Sequence, residues 1–93
     1  MNEKFSKLKK KAFSLGATEF GISKRKNKKY FVIYKNKIIH FGDSRYKDFS
    51  QHGNTERRRL YLARHTKIKN KQGEFVYKLK TSASFWSLNI LWN

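Results

Sequence analysis

The chain has no cysteine. Disulfides, cysteine zinc sites and thiol nucleophiles are thereby excluded. Proline is absent as well, so no turn is fixed by a pyrrolidine ring. No run approaches the roughly 18 apolar residues that a membrane helix needs. The charged N-terminus has no apolar h-region of a secretory signal, and no membrane partner is expected. The five glycines show neither GxGxxG spacing nor a Walker loop. No cofactor and no small-molecule substrate is indicated. Acidic residues are scarce, 6 against 23 Lys and Arg in 93 residues.

What is present is positive charge, a formal +17. A surface that basic repels itself unless something anionic covers it. Non-specific nucleic-acid binding is mostly phosphate neutralisation by Lys and Arg with release of counterions. The charge therefore names a class of partner, a polyanion, and not the molecule; nucleic acid is the expected one, DNA ahead of RNA. Aromatics make up 16% of the chain. Disordered basic tails are poor in aromatics, so most of the chain should fold. Each buried ring supplies a large apolar area to a core that stays thin in so short a chain.

Residues 3–15 read as a helix, with Phe5, Leu8, Ala12 and Leu15 at helical spacing and Gly16 as C-cap. Lys4, Lys7, Lys9, Lys10 and Lys11 cover the rest of it, either as a solvated face or as a basic arm on nucleic acid or a neighbouring protein. Residues 16–23 read as a turn region pinned by Phe20 and Ile22. Lys24, Arg25, Lys26, Lys28 and Lys29 follow, and like charges at that density mark a contact tail. Tyr30-Phe31-Val32-Ile33-Tyr34 and Ile38-Ile39-His40-Phe41 flank Lys35-Asn36-Lys37, which predicts a β-hairpin closed by Gly42-Asp43-Ser44. Residues 45–54 lack periodicity and read as a loop anchored by Tyr46 and Phe49. Asn54 or Thr55 caps a helix to about residue 67. Residues 75–79 read as a third strand. Thr81 or Ser82 caps a short terminal helix with Phe85, Leu88, Leu91 and Trp92 on one face. The expected fold class is α+β. A hairpin and a third short strand pack with a central and a C-terminal helix in residues 30–93, preceded by a basic arm, residues 1–29.

Successive helix positions lie about 100° apart, so the adjacent Arg57, Arg58 and Arg59 cannot share a surface. Arg57, Tyr61 and Arg64 form one stripe; Arg58, Leu62 and His65 form another. Arg58 is read as the inward one, paired with Asp43, Asp48 or Glu56 in a structural role. Arg57 and Arg64 remain for phosphate, which a planar guanidinium meets with two hydrogen bonds. His40, His52 and His65, with Asp43 and Asp48, are the metal or acid–base candidates. His40 and His65 fit the outline of a metal-dependent nuclease loosely, but no HExxH or paired-acid motif supports it. Hydrogen bonding within the fold is the commoner use of isolated histidines. The hairpin aromatics serve either as core or as a base-stacking surface, and in a chain this small the core reading is preferred. Trp86 and Trp92 lie in an apolar run with no cation after Lys80, which points to burial.

Three segments together carry a resemblance. His40-Phe41-Gly42-Asp43-Ser44 ends a strand, an RRxxYxxRH pattern runs from Arg57 and Arg58 through Tyr61 to Arg64 and His65, and Phe85-Trp86-Ser87 precedes Leu91-Trp92. Over residues 30–92 the chain resembles a family of small basic proteins encoded by giant DNA viruses and tailed phages. The resemblance implies a viral origin and, by analogy, a non-enzymatic minor capsid or internal virion protein. It would sit among capsid proteins or on packaged genome in the virion, and in host cytoplasm or nucleus during infection. The alternatives are a ribosome- or transcription-associated nucleic-acid-binding module and a small metal-dependent nuclease.

Overall fold

Phe5, Leu8 and Ala12 face one way on helix α1 (Glu3–Ser14), with Leu15 just past its end, in a computed structural model that describes residues 3–93. Leu8 and Ala12 are buried, and Phe5 and Leu15 pack beside them. Gly16, at φ 107°, ends the helix. The Ala17 amide donates to the Ala12 carbonyl at 3.1 Å and the Gly16 amide to that of Phe13 at 3.0 Å. These two bonds are a Schellman stop, and the left-handed residue suits glycine.

The region expected to be a turn is instead strand β1 (Glu19–Ile22), paired antiparallel with β2 (Lys28–Tyr34). Phe20 is buried as expected, but Ile22 is 67% exposed and pins nothing. Lys28 and Lys29 open β2 rather than ending a tail, leaving Lys24, Arg25 and Lys26 on the connection. The expected hairpin joins β2 to β3 (Lys37–Asp43), with Tyr34 opposite Lys37. Lys35 and Asn36 both take positive φ, 48° and 65°, which is the primed turn that matches strand twist. The sheet order is β1-β2-β3.

The third strand is therefore not at residues 75–79. Val76–Lys78 form a 3-10 turn, and strand-like pairing there is one bridge between Lys69 and Phe75. The Ser82 hydroxyl reaches the carbonyls of Val76 and Leu79 at 2.5 and 2.9 Å, and the Leu79 amide returns to Val76. Local bonds thus use the groups a sheet ladder would need.

The expected loop contains a short helix, α2 (Phe49–His52). Phe49 is half-buried, whereas Tyr46 is 69% exposed and anchors nothing. Helix α3 (Thr55–His65) begins where Asn54 Oδ1 accepts from the Arg57 amide at 3.1 Å. It stops two residues short of the expected end, where Thr66 Oγ1 donates to the Leu62 carbonyl. Ser82 caps α4 (Ala83–Trp86), which widens into a π-helical turn over Ser87–Leu91. Trp86, Phe41, Ile90, Leu91 and Val32 are the largest fully buried side chains. They lie between one face of the sheet and a layer made by α1 and the C-terminal helix. Leu8, Ala12, Ala17 and Phe20 belong to this same core, so packing runs continuously across residue 29.

Candidate nucleic-acid interface

Beside the core, a groove of about 900 Å³ opens between the ends of β2 and β3, the loop after β3, α3 and the C-terminal helix. Helical spacing puts Arg57, Leu60, Tyr61 and Arg64 on its wall. Tyr61 is the centre of an aromatic stack. Trp92 lies 4.1 Å from it at an interplanar angle of 3°, and His65 lies 3.9 Å from it at 21°. Two near-parallel rings that close cannot share one face, so Tyr61 is sandwiched. Its hydroxyl donates to Ser87 Oγ at 3.1 Å, and burial pushes its pKa up. Burial, and then the charge of Arg64, push the His65 pKa down.

The acids near the groove are already neutralised. Lys29 Nζ meets Asp48 Oδ2 and Gln51 Oε1, both at 2.6 Å, with the lysine side chain 12% and the aspartate 4% exposed. Asp48 also accepts from the Ser50 hydroxyl. Asp43 takes Arg45 through Nε at 3.0 Å and Nη2 at 2.9 Å, and this guanidinium holds its pKa down to about 2. Arg59 pairs with Glu56 outside the groove. Among the described residues, Lys28, Lys47, Arg57 and Arg64 enter no ion pair, and all four line the groove. The Ser84 hydroxyl on its wall is buried without a partner.

Lys28, Lys29, Arg57 and Arg64 are thus brought together as basic groove residues, although Lys29 is bound to Asp48. Lys4, Lys7, Lys9, Lys10 and Lys11 stay on α1, while Lys24, Arg25 and Lys26 stay on the β1–β2 connection. Arg58 turns inward but not to an acid. Its Nε donates to the Trp92 carbonyl at 2.8 Å and its guanidinium lies 5.6 Å from the Phe49 ring centre. The acids named for it are held by Lys29, Arg45 and Arg59. Phe41 is core, and Gly42 lies under Leu91, whose Cδ1 would stand 2.9 Å from a Cβ there. Trp86 is fully buried and donates from Nε1 to the Lys80 carbonyl at 2.7 Å. His40 is not in the groove and shares a hydrogen bond with Ser23 Oγ at 2.7 Å. Among the described residues no three His, Asp or Glu gather as a metal site would require. Lys47 and Ser84 were not singled out by sequence. Lys47 sits in an aperiodic loop, and nothing local marks Ser84.

Fold and groove together define a small, strongly basic α+β protein with an aromatic-walled cationic groove. The chain belongs to a family of unknown function (DUF5754), whose sequence model matches residues 18–65. The match runs from β1 to the end of α3 and so includes the Arg57–His65 motif. No curated protein and no solved structure matches the chain.

Proposed function

We propose that this protein is a non-enzymatic nucleic-acid-binding protein whose groove holds phosphates at Lys28, Lys47, Arg57 and Arg64. One observation carries the reading: the acids around the groove are satisfied by their own partners, while these four cations are not. Arginine on a helix face offers bidentate contacts to phosphate, and lysine adds point charge. The resemblance to proteins of giant DNA viruses and tailed phages extends the reading to a minor capsid or internal virion protein lying on packaged DNA. Stoichiometric presence of the chain in purified particles tests that extension. Absence from particles would leave a nucleic-acid-binding module of the infected cell.

If each of the four cations covers one phosphate, log affinity for duplex DNA should fall with log salt at a slope of about −3.6. Arg57→Gln and Arg64→Gln should each flatten that slope by about 1 and leave thermal stability nearly unchanged. Fluorescence anisotropy across a salt series reads this directly. A slope near zero, or one that neither variant alters, would overturn the groove as the phosphate site.

A further inference from the structure

The sheet has a second face, turned away from the core. Strand alternation and the register place two cross-strand rows on it, Gly21–Phe31–His40 and Glu19–Ile33–Ile38. The helical layer covers the opposite face. Ile38 is 62% exposed, and Phe31, Ile33 and His40 are half-buried.

Gly21 shapes this face. A Cβ at that position would stand 2.7 Å from Phe31 Cε1 and 2.9 Å from its Cζ. The missing side chain is what lets the Phe31 ring lie across β1. The His40 ring sits 6.1 Å from that of Phe31, tilted by 50°. Two rings on adjacent strands thus make an aromatic surface beside Ile33 and Ile38.

Cations rim the surface. Arg25 is close enough to His40 to help push its pKa down, after burial, and it stands between exposed Lys24 and Lys26 on the β1–β2 connection. Lys35 stands on the turn at the hairpin end, beside the Ile33–Ile38 row, and is exposed. Glu19, the acid on these rows, uses Oε1 to accept the Phe20 amide at 3.1 Å.

We infer that this face is a second nucleic-acid site, one that stacks the unpaired bases of a single strand on Phe31 and His40 while the rim cations take its phosphates. Every base has a π-face, so stacking on aromatic side chains tolerates sequence, and a duplex hides those faces within its own stack. The groove selects charge; the sheet face selects unpaired bases. The charge of the rim favours a polyanion over an apolar protein partner. This inference does not depend on the groove.

The test compares an oligothymidine with a blunt duplex of equal length, each labelled, at one fixed salt concentration. Phe31→Leu keeps an apolar cover over Gly21 and removes the ring. It should weaken oligothymidine binding about fivefold or more, the loss expected for one stacked base, and leave duplex binding unchanged. Phe31→Trp should restore the single-strand affinity. The same loss should appear on an Arg57→Gln/Arg64→Gln background, which separates this face from the groove. Oligothymidine binding by Phe31→Leu equal to that of the parent chain would overturn the inference. Equal losses for single strand and duplex would do so too. A concentration-dependent dimer, seen by sedimentation equilibrium and abolished by Phe31→Leu, would assign the face to a second copy of the chain instead. Oligothymidine binding with no Phe31 dependence, beside intact duplex binding, would leave the groove standing and remove only the stacking surface.

Discussion

Lys29 and Arg57 carry the same charge and serve opposite ends. Lys29 is enclosed with Asp48 and Gln51, whereas Arg57 is exposed. Breaking a buried pair strands a charge away from water, so Lys29→Met and Asp48→Asn should each cost about 3–5 kcal/mol in urea unfolding. The double replacement Lys29→Met/Asp48→Leu should recover most of that loss, because neither charge is then left unpaired. If the single variants unfold at the parent midpoint, the pair is only a surface contact. His65 gives a pH dependence whose sign is fixed by its surroundings. Burial and Arg64 hold its folded pKa below the usual histidine value. The unfolded chain therefore takes up the proton first, and stability present above pH of about 6.5 is lost as the pH falls through it. A phosphate against Arg64 would cancel the field that opposes protonation. Binding should then draw a proton onto His65, and affinity at fixed salt should rise as the pH drops from about 7.5 to 6. The His65 imidazole resonance, titrated with and without DNA, should move to higher pKa in the complex. An unchanged titration would place the phosphates away from Arg64.

At the scale of elements, what the sequence disclosed was local. The α1 stripe, its glycine stop and the β2–β3 hairpin were legible because each signal lies within a few neighbouring residues. So were the Asn54 and Ser82 caps. Strand β1 was hidden because Gly21 reads as a breaker, and its reason, the ring of Phe31, comes from another strand. Residues 75–79 misled in the opposite direction. Phe75, Val76 and Tyr77 have strand-forming side chains, but β-propensity measures fit to a half-buried pleated surface, and Ser82 had already taken the carbonyls. Helical geometry was enough to turn Arg58 inward and to set Arg57 beside Arg64. It could not supply the partner of Arg58, a backbone carbonyl 34 residues away. Nor could it bring Trp92 onto Tyr61, since that contact depends on the π-helical turn that precedes Trp92. Three of the four groove cations, Lys28 and the arginine stripe of α3, were visible in advance. Lys47 and the Ser84 hydroxyl were placed by packing alone.

At the scale of the whole molecule, the basic N-terminal region and the sheet are one packed body. Deleting residues 1–29 removes α1, the edge strand β1 and four core residues, Leu8, Ala12, Ala17 and Phe20. The remainder should show no cooperative thermal transition by circular dichroism. A folded remainder would mean that the sheet and C-terminal helix suffice. Trp86→Ala should cost about 3–5 kcal/mol, a large share of the roughly 5–15 kcal/mol that holds a domain together. The strand order has a further consequence, in time. Each strand of β1-β2-β3 follows its neighbour through a short connection, and hairpins of this kind close in roughly 1–10 μs. The contact of α1 with the C-terminal turn joins opposite ends of the chain, and closing so long a loop costs entropy before any burial repays it. The meander therefore precedes the closure. The side chains that seal the core, Trp86 and Leu91 among them, arrive late. Replacing them should quicken unfolding far more than it slows refolding, so the lifetime of the folded protein is set by its helices and the speed of its formation by its sheet.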